Sequence, residues 1–263
     1  MRGAVAVREK AGKKRACHYF PRHVADYEES LAILCDYDRI GAMPRAARFV
    51  VPGCPHHVTQ RGNRRQRTFF SDSDYRLYLG LLRDGCARAG TAVWGWCLMP
   101  NHEHLILVPT RPEGLAAPLG RAHWAYASHV NGRENWRGHL WQSRFASVPM
   151  DEPHLRVCLR YVELNPVRAG LVARPEDWPW SSARAHLGLG GDGLTELAPM
   201  RERVEDWRAY LAAGSTAAEL DSIRAAERTC RPLGGPAFLD RIAALLGRDP
   251  RAPRRGRPRR AGK

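Results

Sequence analysis

Two apolar, partly β-branched runs, Ala92 to Leu98 and His102 to Val108, lie on either side of Met99-Pro100-Asn101. Each is short enough for one strand, and the Pro-Asn step reverses the chain, so together they predict an antiparallel pair with a tight connection. A sheet with two such apolar strands must be covered, and the flanking segments supply the cover. His56 to Gln60 reads as a strand that follows the turn residues Pro52-Gly53 and is broken by Arg61-Gly62-Asn63. Ser71-Asp72 and Asp74 then signal a helix start, and Tyr75, Leu79, Leu82 and Cys86 recur at helical spacing as far as Gly90. Downstream, a second helix is expected from about Gly114 to Val130 and a fourth strand from Leu140 to Val148. A third helix should open on Asp151-Glu152-Pro153, where proline suits the first turn and the acids suit the positive end of the helix dipole. The order β-α-β-β-α-β-α predicts an α+β fold, a four-stranded antiparallel sheet with packed helices on the ferredoxin-like, split-βαβ plan. From Trp178 to about Leu246 the chain reads as helical and loop-like, without an internal repeat.

Hydrophobic residues make up 44% of the 263 positions, enough for a packed core. No apolar stretch approaches the ~18 residues of a membrane span, and the N-terminus has no apolar signal-peptide core. The expectation is a cytoplasmic, nucleoid-associated protein with no membrane partner. Seven scattered cysteines without a Cys-x-x-Cys pair suggest reduced thiols rather than a disulfide framework or a zinc site. The formal net charge of +15 points to a polyanion, with nucleic acid first. Residues 248–263 carry eight Lys/Arg and one Asp among prolines and glycines, a basic, disordered DNA-binding tail. Within it Arg255-Gly256-Arg257-Pro258 looks like the core of an AT-hook, with arginines flanking a backbone thin enough for a narrow minor groove. Residues 1–42 read as an N-terminal extension, and Met43 as an alternative start of translation, which N-terminal sequencing of the native protein checks.

The residues with most chemistry are Pro100-Asn101-His102-Glu103-His104. Successive strand side chains point to opposite faces, so His102 and His104 share a face and can bind one divalent ion, while Glu103 faces away. On the third helix Leu155, Cys158, Leu159 and Val162 form a core stripe, with Tyr161 and Asn165 four apart on its flank. Pro166 disfavours helical geometry at Asn165, placing that amide at a helix end or kink. Arg61, Arg64, Arg65 and Arg67 cluster after the first strand as candidate phosphate contacts. Trp94 and Trp96 should share one strand face, as core residues or as platforms for exposed bases.

These blocks resemble the REP-associated tyrosine transposases of the single-tyrosine HUH superfamily. The resemblance is carried by Met99 to His104, by Arg160-Tyr161-Val162-Glu163-Leu164-Asn165-Pro166-Val167-Arg168-Ala169-Gly170, by Met43-Pro44-Arg45 with Val58 to Asn63, and by Leu140 to Phe145. Trp178-Pro179-Trp180-Ser181-Ser182, Arg231-Pro232-Leu233-Gly234 and Gly256-Arg257-Pro258 extend it over about residues 43–260. Glu103 departs from the pattern, since the family usually has an apolar residue between the two histidines. The resemblance implies a transposase domain over 43–190, a helical region over 191–247, Tyr161 as nucleophile, and His102, His104 and Asn165 as ligands of Mg²⁺ or Mn²⁺. Mixed imidazole and oxygen ligands suit Mn²⁺, whereas Mg²⁺ usually prefers oxygen. It further implies cleavage and rejoining of single-stranded DNA beside hairpins through a 5′-phosphotyrosine. No small-molecule cofactor is expected, and the protein would act as a monomer or a homodimer. Two other readings stay open: a domesticated DNA-binding protein without strand cleavage, and a metallohydrolase using the His-x-His strand, for which no further His/Asp cluster follows at short spacing.

Overall fold

The computed structural model describes residues 47–251. The extension 1–42, the block Met43-Pro44-Arg45, and the tail arginines Arg255 and Arg257 lie outside the described residues. Four strands, β1 (His56–Arg61), β2 (Thr91–Met99), β3 (His102–Pro109) and β4 (Ala146–Pro149), form one sheet in the order β2-β3-β1-β4. All three neighbouring pairs are antiparallel. β1 and β2 therefore run parallel with β3 inserted between them, which is the split-βαβ arrangement read from the order of elements.

Helices α1 (Asp72–Ala89) and α2 (Ala116–Glu134) cover one face. Tyr75, Tyr78, Leu82 and Cys86 of α1 and Leu119, Ala122, Tyr126 and Val130 of α2 meet Val58, Val93, Trp96, Leu98, Leu105 and Leu107 of the sheet. At the start of α1 the Asp74 carboxylate accepts backbone N–H bonds from Phe70 (2.8 Å) and Ser71 (3.2 Å), and Arg133 of α2 clamps it. That clamp joins the two helices at one end.

The opposite face is covered by α3 (Glu152–Glu163) and by helices that follow it. Asp151 caps α3 by accepting the His154 N–H, with proline in the first turn, as its sequence predicts. The helix breaks at Leu164, and the short α4 (Asn165–Arg168) follows. Beyond come α5 (Ala183–His186), α6 (Ala198–Arg201), α7 (Trp207–Ala212), α8 (Ala217–Thr229) and α9 (Pro236–Leu246). Met200, Val204, Trp207, Tyr210, Leu211, Ile223 and Ala226 share one core with Cys97, Ile106, Val148 and the α3 stripe. Among the described residues no helix is long and apolar enough to cross a membrane. Cys86, Cys97 and Cys158 are buried, and Cys54 and Cys230 are half-buried free thiols.

Two sequence expectations are corrected. The fourth strand was expected over Leu140 to Val148, but ladder pairing covers only Ala146–Pro149. Ser143 adopts φ +131°, which breaks the extended run, and Gln60 Nε2 holds its carbonyl at 2.7 Å. Before that break Trp141 still bridges Gly62 in antiparallel fashion, and the Leu140, Trp141 and Phe145 side chains fill the core under α1 and α2. Trp94 and Trp96 do not share a face, because a bulge between Val93 and Gly95 shifts the pairing with β3 by one residue. Trp96 joins the α1/α2 core, while Trp94 packs on the α3 side beneath Arg203.

Glu103 does face away from His102 and His104, into the α1/α2 core, where it is fully buried and its Oε1 lies 2.7 Å from His123 Nε2. An apolar residue there alone leaves the imidazole without its partner. Glu103→Leu is expected to lower unfolding stability by about 1–3 kcal/mol, and Glu103→Leu with His123→Leu to recover most of it. Urea unfolding of the two variants checks this; equal losses would mean that the pair is not coupled.

Candidate active site

Strand alternation puts His102, His104 and Ile106 on the α3 face of β3. The register sets Arg61 opposite His102, Thr59 opposite His104 and His57 opposite Ile106. His57 and His104 are therefore diagonal neighbours on one face. Their rings stack with centroids 5.2 Å apart and planes 13° from parallel, and His57 Nε2 lies 3.0 Å from His104 Nδ1. The His102 ring stands edge-on to His104 at 5.0 Å, and its Nδ1 lies 2.6 Å from Asn101 Oδ1.

The α3 stripe of Leu155, Cys158, Leu159 and Val162 is buried against the sheet, which turns Tyr161 toward the histidines. Tyr161 is 6% exposed, and its ring meets His104 edge-on at 5.5 Å and His57 at 6.1 Å. Arg168 lies over the same ring, 4.1 Å from its centroid, and donates to the Tyr161 carbonyl at 3.2 Å. Asn165, the first residue of α4, is buried, and its side-chain nitrogen has no hydrogen-bond partner. The helix end is fixed by Glu163, which accepts from Ser182 Oγ (2.7 Å) and Trp207 Nε1 (2.8 Å) and pairs with His186 Nδ1 (2.6 Å).

Two residues that the sequence motifs did not single out complete the cluster. The sequence marks His57 only as part of a strand, although it has the same parity as Thr59 and Arg61. Glu227, on α8, lies with its Oε1 3.8 Å from His57 Nε2 and 3.7 Å from His104 Nδ1. Its one sequence signal is the i, i+4 spacing from buried Ile223, and nothing local links it to a histidine 123 positions away. Ligand atoms of His57, His104 and Glu227 all lie within 4.8 Å of one another.

Burial sets the protonation of the cluster. It lowers His57 to about 3 and, with Arg61 and Arg168, lowers His102 to about 4. His104 is pushed well below the ordinary imidazole range by burial and by its neighbours His102 and His57. All three rings are neutral at pH 7 and offer lone pairs, as metal ligation requires. Tyr161 is pushed up to about 12 by burial and by Glu227, against the lowering effect of Arg168. Burial also raises Glu227 to about 7. His104 Nε2 and Glu227 Oε1 are each buried without a partner, so a cation at either ring nitrogen of His104 would meet unmet bonding capacity.

A cleft of about 250 Å³ opens beside the histidines, lined by Arg61, His102, His104, Arg144, Glu227 and Arg228. Arg61, Arg64, Arg65 and Arg67 are all exposed. Arg64 and Arg65 hold left-handed backbone conformations (φ 54° and 62°), an unusual pair for non-glycine residues, and Asn101 Nδ2 anchors the turn on the Arg65 carbonyl.

The guanidinium over Tyr161 favours the phenolate. Arg168→Leu is expected to move the Tyr161 phenol further above its already high value of about 12, with no change in the direction of the other tyrosines. NMR titration of ring-labelled tyrosine, with Tyr161→Phe to assign the resonance, measures the shift; an unchanged or lower value would contradict the electrostatic role given to Arg168.

Residues 50–165 match the family model described as "Transposase IS200 like". A protein of Haemophilus influenzae assigned as a REP-associated tyrosine transposase is 27% identical over 122 residues, covering 42% of this chain. The match spans 63% of that relative's length. A solved REP-associated tyrosine transposase bound to a REP hairpin is 21% identical, with TM-score 0.48 over 59% of this chain and 90% of that one. A crystal structure of a protein of Deinococcus radiodurans assigned as a transposase is also 21% identical, with TM-score 0.33 over 46% of this chain and 96% of that one. His57, His102, His104, Tyr161 and Asn165 all fall inside the matched segment. Over residues 50–165, less than half of its length, the chain is similar to the IS200-like transposases.

Proposed function

We propose that the protein is a metal-dependent tyrosine transposase that cleaves and rejoins single-stranded DNA beside hairpins, such as REP-like palindromes or element ends, through a 5′-phosphotyrosine intermediate. The observation that carries this reading is the Tyr161 ring held edge-on to His104, beside a cleft lined by arginines. Neither a pure binding module nor a water-activating hydrolase would require a tyrosine hydroxyl there for its chemistry.

In this reading Tyr161 Oη attacks the phosphorus, the bond from phosphorus to the 3′ oxygen breaks, and the phenolic proton is balanced by the proton gained by the departing 3′-OH. The phosphodiester is exchanged rather than hydrolysed, so rejoining needs no added energy source. Arg168 steadies negative charge on the phenol from the ring face, while the partners of Glu163 fix the pitch of the helix that presents it. Arg61, Arg144 and Arg228 line the cleft where the phosphate backbone would lie. A bound Mg²⁺ or Mn²⁺, held by His104 with His102 and Asn165 or with other nearby donors, would neutralise the scissile phosphate. Arg64 and Arg65 present guanidinium groups for the hairpin stem, and Arg67, Arg255 and Arg257 would add phosphate contacts.

The direct test incubates the full chain with Mn²⁺ or Mg²⁺ and labelled hairpin DNA from palindromes near its own gene. A denaturation-resistant protein–DNA adduct should form with wild type, vanish with Tyr161→Phe and vanish when the cation is chelated. Tight binding with no adduct in either metal would instead support the domesticated binder, and cleavage that survives Tyr161→Phe would support a hydrolase. For the arginines, Arg64→Ala with Arg65→Ala should flatten the salt dependence of DNA binding, reducing the slope of log K against log[salt] by about 1–2. A slope within error of wild type would remove both residues from the phosphate contacts.

A further inference from the structure

His104 belongs to two potential ligand sets, one on each of its ring nitrogens. The first, on the His-x-His face, is the expected group with His102 and Asn165. The second is the triangle of His57 Nε2, His104 Nδ1 and Glu227 Oε1, whose sides measure 3.0, 3.8 and 3.7 Å. A point in their plane equidistant from these three atoms lies about 2.0 Å from each, the length of a bond from a divalent metal to imidazole nitrogen or carboxylate oxygen. A 3.0 Å separation of two imidazole nitrogens matches either a hydrogen bond or two ligands on adjacent vertices of one ion. Glu227 Oε1 is buried without a hydrogen-bond partner, so an acceptor already faces that point.

We propose that His57, His104 and Glu227 form a divalent cation site in their own right, exclusive of the His102, His104 and Asn165 set, so that a residue of the C-terminal helix α8 is a metal ligand. Exclusivity follows from the ring: a neutral imidazole has one free lone pair, and loading Nδ1 leaves the proton on Nε2. Two imidazole nitrogens and one carboxylate oxygen form a donor set suited to Mn²⁺, Co²⁺ or Zn²⁺ more than to Mg²⁺, which prefers oxygen. Because β1, β3 and α8 each give one ligand, a bound ion pins α8 to the two central strands. Glu227 lies outside the segment that matches the transposase family, so the ligand is supplied by a part of the chain that the family match does not cover.

The proposal rests on reading the cleft as cation-dependent, and its test measures binding rather than strand cleavage, so its failure is separate from failure of the adduct assay. Mn²⁺ is titrated into the DNA-free full chain and followed by electron paramagnetic resonance, with Co²⁺ absorption as a second probe of nitrogen ligation. Glu227→Gln and His57→Gln should each weaken Mn²⁺ at least tenfold. Glu227→Asp should recover part of the loss, which a merely structural role would not predict. Hydrogen exchange across 217–229 should slow on adding Mn²⁺ to wild type and stay unchanged in Glu227→Gln; the metal-free exchange of that variant shows whether α8 is still docked. The proposal is overturned if Mn²⁺ binding survives Glu227→Gln but is lost in His102→Ala, or if wild type binds no Mn²⁺ at millimolar concentration.

Discussion

The carboxyl group of Glu163 is buried where four elements converge. It ends α3, accepts from Ser182 and Trp207, and pairs with His186. Ser182 also accepts the Trp96 backbone N–H, which extends the network to β2 just past its bulge. Each of these groups would be costly to bury alone, by roughly 1–3 kcal/mol for a neutral donor and more for a carboxylate. The sheet, α3 and the helices after residue 180 therefore assemble together, and the pitch of α3 is set from its C-terminal end. Tyr161 lies two residues before that anchor. Its position beside His104 is thus a consequence of a hydrogen-bond network reaching as far as Trp207, in addition to the apolar stripe of its own helix.

Burial of both faces of the sheet has a second consequence. β3 and β1 are the two central strands, covered by α1 and α2 on one side and by α3 and α8 on the other. Consecutive residues Glu103 and His104 consequently enter different cores, and each needs a partner inside its own. Glu103 finds His123; His104 finds His57. The burial that demands these partners also holds the histidines neutral, which is the state a metal requires. The packing that stabilises the sheet and the chemistry that the site needs have one cause.

Periodicity made most of the fold legible. The hairpin around Pro100-Asn101, the two long helices and the Asp151-capped α3 are all local patterns, and they specify the split-βαβ order without reference to distant contacts. Both corrections involve single residues that local patterns do not register. One extra residue at the Val93/Gly95 bulge reverses the parity of β2, and α3 passes so close to Gly95 that a Cβ there would meet Leu159. One positive backbone angle at Ser143 delays the start of β4. For the candidate site, His102, His104, Tyr161 and Asn165 stood out because they sit in two short motifs. His57 was visible as a strand residue but needs the register of β1 on β3 to acquire a role. Glu227 is brought in by tertiary packing of α8 and could not be found from spacing.

The electrostatics around Tyr161 bear on why such a tyrosine would need a cation at all. Its phenol is raised to about 12 by burial and by the Glu227 carboxyl, and Arg168, although seated directly over the ring, offsets only part of that rise. A phosphodiester brought within reach would add another negative charge and disfavour the phenolate further. Under the strand-cleaving reading the protein's own charges leave the nucleophile short of activation, and the deficit grows as substrate arrives. A divalent ion beside His104 answers both sources of the deficit, because it screens the phosphate and, where Glu227 is among its ligands, also neutralises the carboxylate that raises the phenol. The three neutral histidines, the half-buried acid and the reluctant tyrosine then form one electrostatic unit whose balance is restored by a single added ion.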